Sequence, residues 1–141
     1  MKLVAKLTEG WSLERRVWAA GCYLGPYNVP AGELLWSRWP QGVKSVEEAR
    51  GWLAEHWRGF HVRRERRPVI SPRRMAEYLV SYSEWVTKNL SALREVESYE
   101  RLWDLTGEVR YVGRYAQLKL GETLRLVGVT SARLEDLRPR G

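Results

Sequence analysis

One cysteine, Cys22, is the whole thiol content of this chain of 141 residues. A lone thiol excludes an internal disulfide framework. With only two histidines, His56 and His61, it also argues against a four-ligand Cys/His zinc centre, so no metal ligands are assigned. The expected compartment is a reducing cytoplasm. No apolar run approaches the roughly 20 residues that a membrane span requires, and no membrane partner is expected. The N-terminal MKLVAKLTEGW lacks a long apolar stretch and a small-residue cleavage site, so no secretion signal is expected. Phenylalanine is nearly missing as well, with one residue against eight tryptophans and seven tyrosines. Trp and Tyr join a flat apolar face to a polar handle, which suits interfaces and base stacking as well as cores. Catalytic signatures are also wanting: the chain has no Ser-His-Asp order, Walker-type glycine loop, HExxH or CxxC.

What is present is a concentration of arginine. The stretch WRGFHVRRERRPVISPRR, read from Trp57, holds Arg58, Arg63, Arg64, Arg66, Arg67, Arg73 and Arg74 against a single acid, Glu65. Nearly all of the net charge of +7 therefore lies in residues 58–74. Lysine is absent from this stretch. The planar guanidinium pairs two phosphate oxygens at once and stacks on flat rings, so the segment is a candidate polyanion surface, with DNA or RNA first. The competing reading is a solvated basic loop. Glu65, a lone carboxylate among four arginines, can orient those guanidiniums or a substrate amine, or form a plain salt bridge. His61 at the edge of the segment is a candidate proton acceptor or an ordinary loop histidine. Cys22 reads as a packed thiol.

A hydrophobic content of 44% supports a real core, and with 29% charged residues the chain is expected to be soluble and not a disordered tail. The length fits a single domain spanning residues 1–141. Lys2–Thr8 alternates weakly, the pattern of a short strand or an extended arm over residues 1–11. Ser12 is placed to cap a helix from Leu13 to about Leu24, ended by Gly25-Pro26. Asn28 or Val29 leads into a second helix with Pro30 in its first turn. Ser45-Val46-Glu47-Glu48 has the form of a capping box opening a helix to about Trp57. Pro68 argues against a central strand, so the arginine segment reads as an extended loop or edge. In that conformation Arg64 and Arg66 would share one face, and Arg63, Glu65 and Arg67 the other. Ser71-Pro72 starts a strongly amphipathic helix to about Leu90, with Met75, Tyr78, Leu79, Tyr82, Trp85, Val86 and Asn89 in its apolar stripe. Ser91 or Ser98 starts another, ending near Asp104–Thr106 with Gly107 just past its C-terminus. A further helix runs from Arg114 to about Val127. The remainder, 128–141, is a C-terminal extension with a short helix at Ser131–Leu137 and the basic tail RPRG. The expected fold is mainly α, a compact bundle of about six or seven helices.

A second constellation is Tyr111-Val112-Gly113-Arg114-Tyr115-Ala116, followed by Lys119. Glycine just before a helix start lets backbone approach a phosphate, and the free N–H groups there favour anions. A tight helix–helix turn is the plainer alternative.

AGCYLGPYNVPAGELLWSRWP, WLAEHWRGFHVRRERRPVISP and YVGRYAQLKL together resemble the phage amino acid:DNA transferases. These are relatives of the α-glutamyl/putrescinyl-thymine pyrophosphorylases that hypermodify DNA bases. The likeness spans roughly residues 12–127. It implies a helical fold related to the helix-hairpin-helix DNA glycosylases, and a location in the host cytoplasm if the chain is phage-encoded. VGRYA resembles the second half of a helix-hairpin-helix turn, and Tyr111 stands where that motif usually carries its earlier glycine. The resemblance implies a thymine-type base in DNA, 5-hydroxymethyluracil activated as its pyrophosphate, from which an amino acid or amine displaces pyrophosphate. Arg63, Arg64, Arg66 and Arg67 would then stabilise the leaving group, with Arg114 and Lys119 as a second arm. Glu65 or His61 would take the amine proton. A flipped base would stack on Tyr27, Trp57, Trp85 or Tyr115. A divalent metal could assist with pyrophosphate, although no acidic cluster marks a place for it. The alternative is a non-catalytic phage DNA-binding or host transcription-regulating protein that acts through the arginine face. A structural or assembly role is least favoured, because the chain lacks repeats. The identity of the amine and the oligomeric state are not written in the sequence.

Overall fold

The computed structural model describes residues 2–129, and these are mainly helical, with seven α-helices and no strand among them. The order is α1 (Lys2–Leu7), α2 (Leu13–Leu24), α3 (Val29–Arg38), α4 (Val46–His56), α5 (Pro72–Arg94), α6 (Tyr99–Thr106) and α7 (Arg114–Leu126). Two short 3-10 turns, Trp57–Gly59 and Arg64–Val69, fill the connection between α4 and α5. The expected helix at Ser131–Leu137, the RPRG tail and most of the 128–141 extension lie outside the described residues.

Local capping chemistry decides most starts. Ser12 Oγ accepts from the Arg15 N–H, Asn28 Oδ1 from Ala31, Ser45 Oγ from Glu48, Ser71 Oγ from Arg74 and Ser98 Oγ from Arg101. Each satisfies a backbone donor that the first helical turn leaves free. Ser98 is therefore the start of α6, and Ser91 lies inside α5. The latter runs past Leu90 to Arg94, because Leu93 adds one more fully buried contact to its stripe.

α2 is the centre of the packing. Every residue from Val17 to Leu24 is buried, and the helix touches α1, α3, α5 and α7. The close approach of α5 depends on Gly21, where a Cβ would stand 2.0 Å from Tyr82 Cε1. The phenols of α5 complete the contact. Tyr78 donates to the Gly21 carbonyl and Tyr82 to the Val17 carbonyl, both at 2.7 Å. Trp85 donates from Nε1 to the Leu105 carbonyl at 2.9 Å, and Trp18 to that of Trp39 at 2.6 Å. Much of the Trp and Tyr polar capacity is thus consumed inside the core.

Two sequence expectations are corrected here. The N-terminal arm is a helix, not a strand or extended segment. Val4 is fully buried against α2 and α7, whereas Leu3 and Leu7, which produced the alternation, face solvent at 50% and 39% exposure. One anchoring contact outweighs a weak period-2 pattern in so short a run. The arginine segment is also not extended over Arg64–Val69. The Arg66 N–H bonds to the Arg63 carbonyl at 2.9 Å, and that of Ile70 to Arg67 at 3.2 Å, giving a turn kinked at Arg66. The alternation of faces therefore fails: Arg63, Arg64, Glu65 and Arg67 are all exposed, and Arg66 alone turns inward.

Candidate nucleic-acid interface and tyrosine-lined depression

The segment between α4 and α5 is pinned at two points. The Arg63 N–H bonds to the Pro26 carbonyl at 2.9 Å. Arg66, only 2% exposed, reaches into the core. Its Nε donates to the carbonyls of Leu24 at 3.0 Å and Gly25 at 3.2 Å, and its Nη1 to Tyr111 at 2.8 Å. Leu24 and Gly25 end α2, so the guanidinium sits at the negative end of that helix dipole. Burial pulls its pKa down, opposed by the Tyr78 ring beneath it at 5.4 Å. Nη2 is buried without a hydrogen-bond partner.

With Arg66 as the tether, the other arginines are held outward. Arg58, Arg63, Arg64, Arg67, Arg73 and Arg74 are exposed. Arg73 pairs with Glu77 at 3.1 Å, and Arg63 lies 5.8 Å over the Tyr27 ring. Glu65 is exposed and takes part in no ion pair among the described residues.

Beside this face lies a depression lined by Leu24, Tyr27, Glu65, Arg66, Tyr115, Ala116 and Lys119. The fold thus brings together five residues singled out in the sequence, from three separate stretches: Tyr27, Glu65, Arg66, Tyr115 and Lys119. The free space between them is about 10 Å³, room for one water-sized group. Tyr115 is 57% exposed. Lys119 lies 5.6 Å over the Tyr115 ring and 3.7 Å from Glu122. Desolvation lowers the Lys119 pKa, but Glu122 and the phenols of Tyr27 and Tyr115 outweigh it and hold it up. Tyr23, whose ring is 5.5 Å from that of Tyr27, extends the phenol cluster. Burial, with Tyr27 beside it, pushes the Tyr23 phenol up to about 12. Burial also raises the pKa of Tyr27, against the pull of Lys119.

The remaining sequence candidates do not join this group. Trp85 is buried in the core with its N–H spent on Leu105, so it has no face to offer a base. Trp57 stacks on Phe60 at 5.4 Å. His61 and Arg114 are exposed but do not line the depression. Cys22 is fully buried, and burial pushes its thiol up. Among the described residues, no group of three or more His, Cys, Asp or Glu side chains converges. A divalent ion accompanying pyrophosphate would find no protein cage of that kind there. No helix among the described residues is long and apolar enough to cross a membrane. A roomier cleft of about 470 Å³ lies elsewhere, between α2, the Pro40–Lys44 loop and α5, away from the arginine segment.

Sequence reading missed Tyr23 and the backbone at Tyr27 and Tyr111. These are the two non-glycine residues with positive φ among those described, at 52° and 63°. Such strain gathers where surrounding contacts over-determine the chain. The Tyr111 phenol donates to Glu77 at 2.5 Å, which lowers the Glu77 pKa. The one available signal was Tyr111 itself, standing where a helix-hairpin-helix turn has glycine.

No protein-family model matches the chain, and no curated protein or solved structure shows significant similarity to it.

Proposed function

We propose that this protein is a DNA-modifying amino acid:DNA transferase. It displaces pyrophosphate from an activated 5-hydroxymethyluracil base in DNA with an amino acid or amine. The observation that carries the reading is the convergence of Tyr27, Glu65, Arg66, Tyr115 and Lys119 on one depression, beside exposed Arg63, Arg64 and Arg67. The left-handed backbone of Tyr111, at the position where the hairpin motif carries glycine, supports it further.

In this reading the exposed arginines hold the DNA backbone and the departing pyrophosphate, whose accumulating charge they stabilise. The amine nitrogen forms a C–N bond to the exocyclic methylene carbon. The C–O bond to pyrophosphate breaks, and pyrophosphate leaves with the electron pair. The amine then gives up a proton. Glu65 is the acceptor of choice because it lines the depression and His61 does not. Tyr115 and Tyr27 are the rings open to an extruded base. Admitting a base requires the exposed Tyr115 ring to swing aside.

A second reading, a non-catalytic DNA-binding or host transcription-regulating protein, is favoured by the small free space in the depression. Incubation with DNA bearing pyrophosphorylated hydroxymethyluracil and a mixture of amines, followed by nucleoside mass spectrometry, separates the two. A new aminated nucleoside is the expected result. DNA binding with no product would leave the second reading. In single-turnover assays Glu65→Gln should slow the reaction by about 10²-fold or more. A near-normal rate in that variant would move the proton acceptor to His61.

A further inference from the structure

We infer that the DNA surface continues beyond the arginine segment onto Arg73, Arg74 and Arg110, with Glu77 and Tyr111 as positioning residues that hold them against the phosphates. Arg110 stands in the turn before α7, and the fold brings it to the start of α5. The Glu77 carboxylate is the hub. It accepts from Arg73 Nε at 3.1 Å and from the Tyr111 phenol at 2.5 Å. Arg110 lies 5.2 Å over the Tyr111 ring. The Tyr111 hydrogen bond, then Arg73 and Arg110, pull the Glu77 pKa down. Glu77 raises the Tyr111 phenol against the pull of Arg110 and Arg74. Three cations from two elements thus lie within electrostatic reach of one bonded pair, and one carboxylate cannot balance them. All three arginines are exposed, so their donors are open to a ligand. Helix stability does not account for the placement. Arg73 and Arg74 stand in the first turn of α5, where the helix dipole favours acids. The Arg73–Glu77 pair also runs in the weaker order, cation before acid. The turn itself is fixed: Tyr111 is held at φ 63° by Glu77 at its phenol and by Arg66 at its carbonyl. Guanidiniums held in place and left in excess of acid suit the phosphates of a DNA backbone.

This inference rests on the DNA-binding part of the transferase reading and needs no turnover. Fluorescence anisotropy of a labelled, unmodified DNA duplex is measured with the full chain over a range of salt concentrations. Arg74→Gln and Arg110→Gln should each weaken binding by about tenfold and lower the log–log salt slope by about 0.9. Lys88→Gln removes the same charge about 20 Å further along α5 and should leave the slope unchanged. Tyr111→Phe alters no charge and should still weaken binding by about threefold. Glu77→Ala should weaken it similarly, although it deletes a negative charge. Glu77→Gln keeps an acceptor for Arg73 and Tyr111 and should bind at least as well as wild type. Circular dichroism checks that each variant is folded. Equal losses in Arg110→Gln and Lys88→Gln would overturn the surface. Tighter binding by Glu77→Ala, or wild-type affinity in Tyr111→Phe, would overturn the positioning role. If alanine at Arg63, Arg64 and Arg67 abolishes binding while Arg74→Gln and Arg110→Gln bind normally, the extension fails and the DNA reading stands. No binding by the wild type sinks both. The expected variant pattern without base modification sinks the transferase and leaves the extended surface.

Discussion

Arg66 donates from Nη1 to the carbonyl of Tyr111 at 2.8 Å, tying the arginine segment to the turn before α7 across 45 positions of sequence. The same side chain closes the end of α2. Removing it strands the buried carbonyls of Leu24 and Gly25 and the part-buried one of Tyr111 at once. Arg66→Ala should therefore cost about 3 kcal/mol or more in urea denaturation. Arg66→Lys should recover only part of that, since an ammonium cannot span the three acceptors. A loss below about 1 kcal/mol for the alanine variant would show that these carbonyls find other partners.

Gly21→Ala sets two effects against each other. Alanine is the better helix former by about 1 kcal/mol. Yet its methyl would stand 2.0 Å from a Tyr82 ring that is itself tethered to Val17. Overpacking costs roughly 1–3 kcal/mol and should win. A rise in melting temperature would mean that α2 and α5 separate more easily than their hydrogen bonds suggest.

Leu79 is fully buried in the α5 stripe. Leu79→Ala should cost about 2–5 kcal/mol, the range for a buried leucine whose cavity only partly collapses. Chemical denaturation measures it directly, and a loss under about 1 kcal/mol would place the stripe in the wrong phase.

Arg63, Arg64 and Arg67 carry the proposed DNA contact. Affinity for duplex DNA should fall steeply with salt, and each arginine that touches a phosphate should contribute about 0.9 to the log–log slope. Replacing the three by alanine should flatten the slope by up to that amount per residue. Unchanged affinity and slope in the triple variant would remove the segment from the interface.

Alkaline pH should unfold the protein early. Burial pushes Tyr23 and Tyr99 up from 10 to about 12, and raises Tyr78 and Tyr82 further still. A raised folded pKa means that the native state holds its proton more tightly than the unfolded chain. The stability is fully present below about pH 10 and is lost as pH rises from there through about 12. Denaturation midpoints should hold from pH 8 to about 9.0, where the thiol of Cys22 begins to ionise in the unfolded chain, and drop more steeply once the phenols join it. Absorbance at the tyrosinate band should show a delayed, cooperative step. Phenols that all titrate freely near pH 10 would contradict the packing around α2.

The starts of α2 to α5 were legible in the sequence because they are decided within four residues, whereas α1 was read as a strand or extended arm and the start of α6 was left between Ser91 and Ser98. A serine or asparagine oxygen meets an N–H three positions on, and Ser12, Asn28, Ser45, Ser71 and Ser98 do so whatever lies beyond. The α5 stripe was legible for a similar reason, since its period is intrinsic to one helix. The concentration of arginine in residues 58–74, and so the polyanion reading, is likewise a property of the sequence alone. Tertiary structure decided the rest. Nothing local distinguishes Arg66 from Arg64 or Arg67. Its burial follows from carbonyls at Leu24, Gly25 and Tyr111, which only packing brings within reach. Trp85 and Tyr115 looked equivalent as stacking candidates, but one sits under α6 and the other at an open helix start. The depression is assembled from three stretches of chain, brought together where the end of α2, the kinked turn and the turn before α7 meet at one guanidinium.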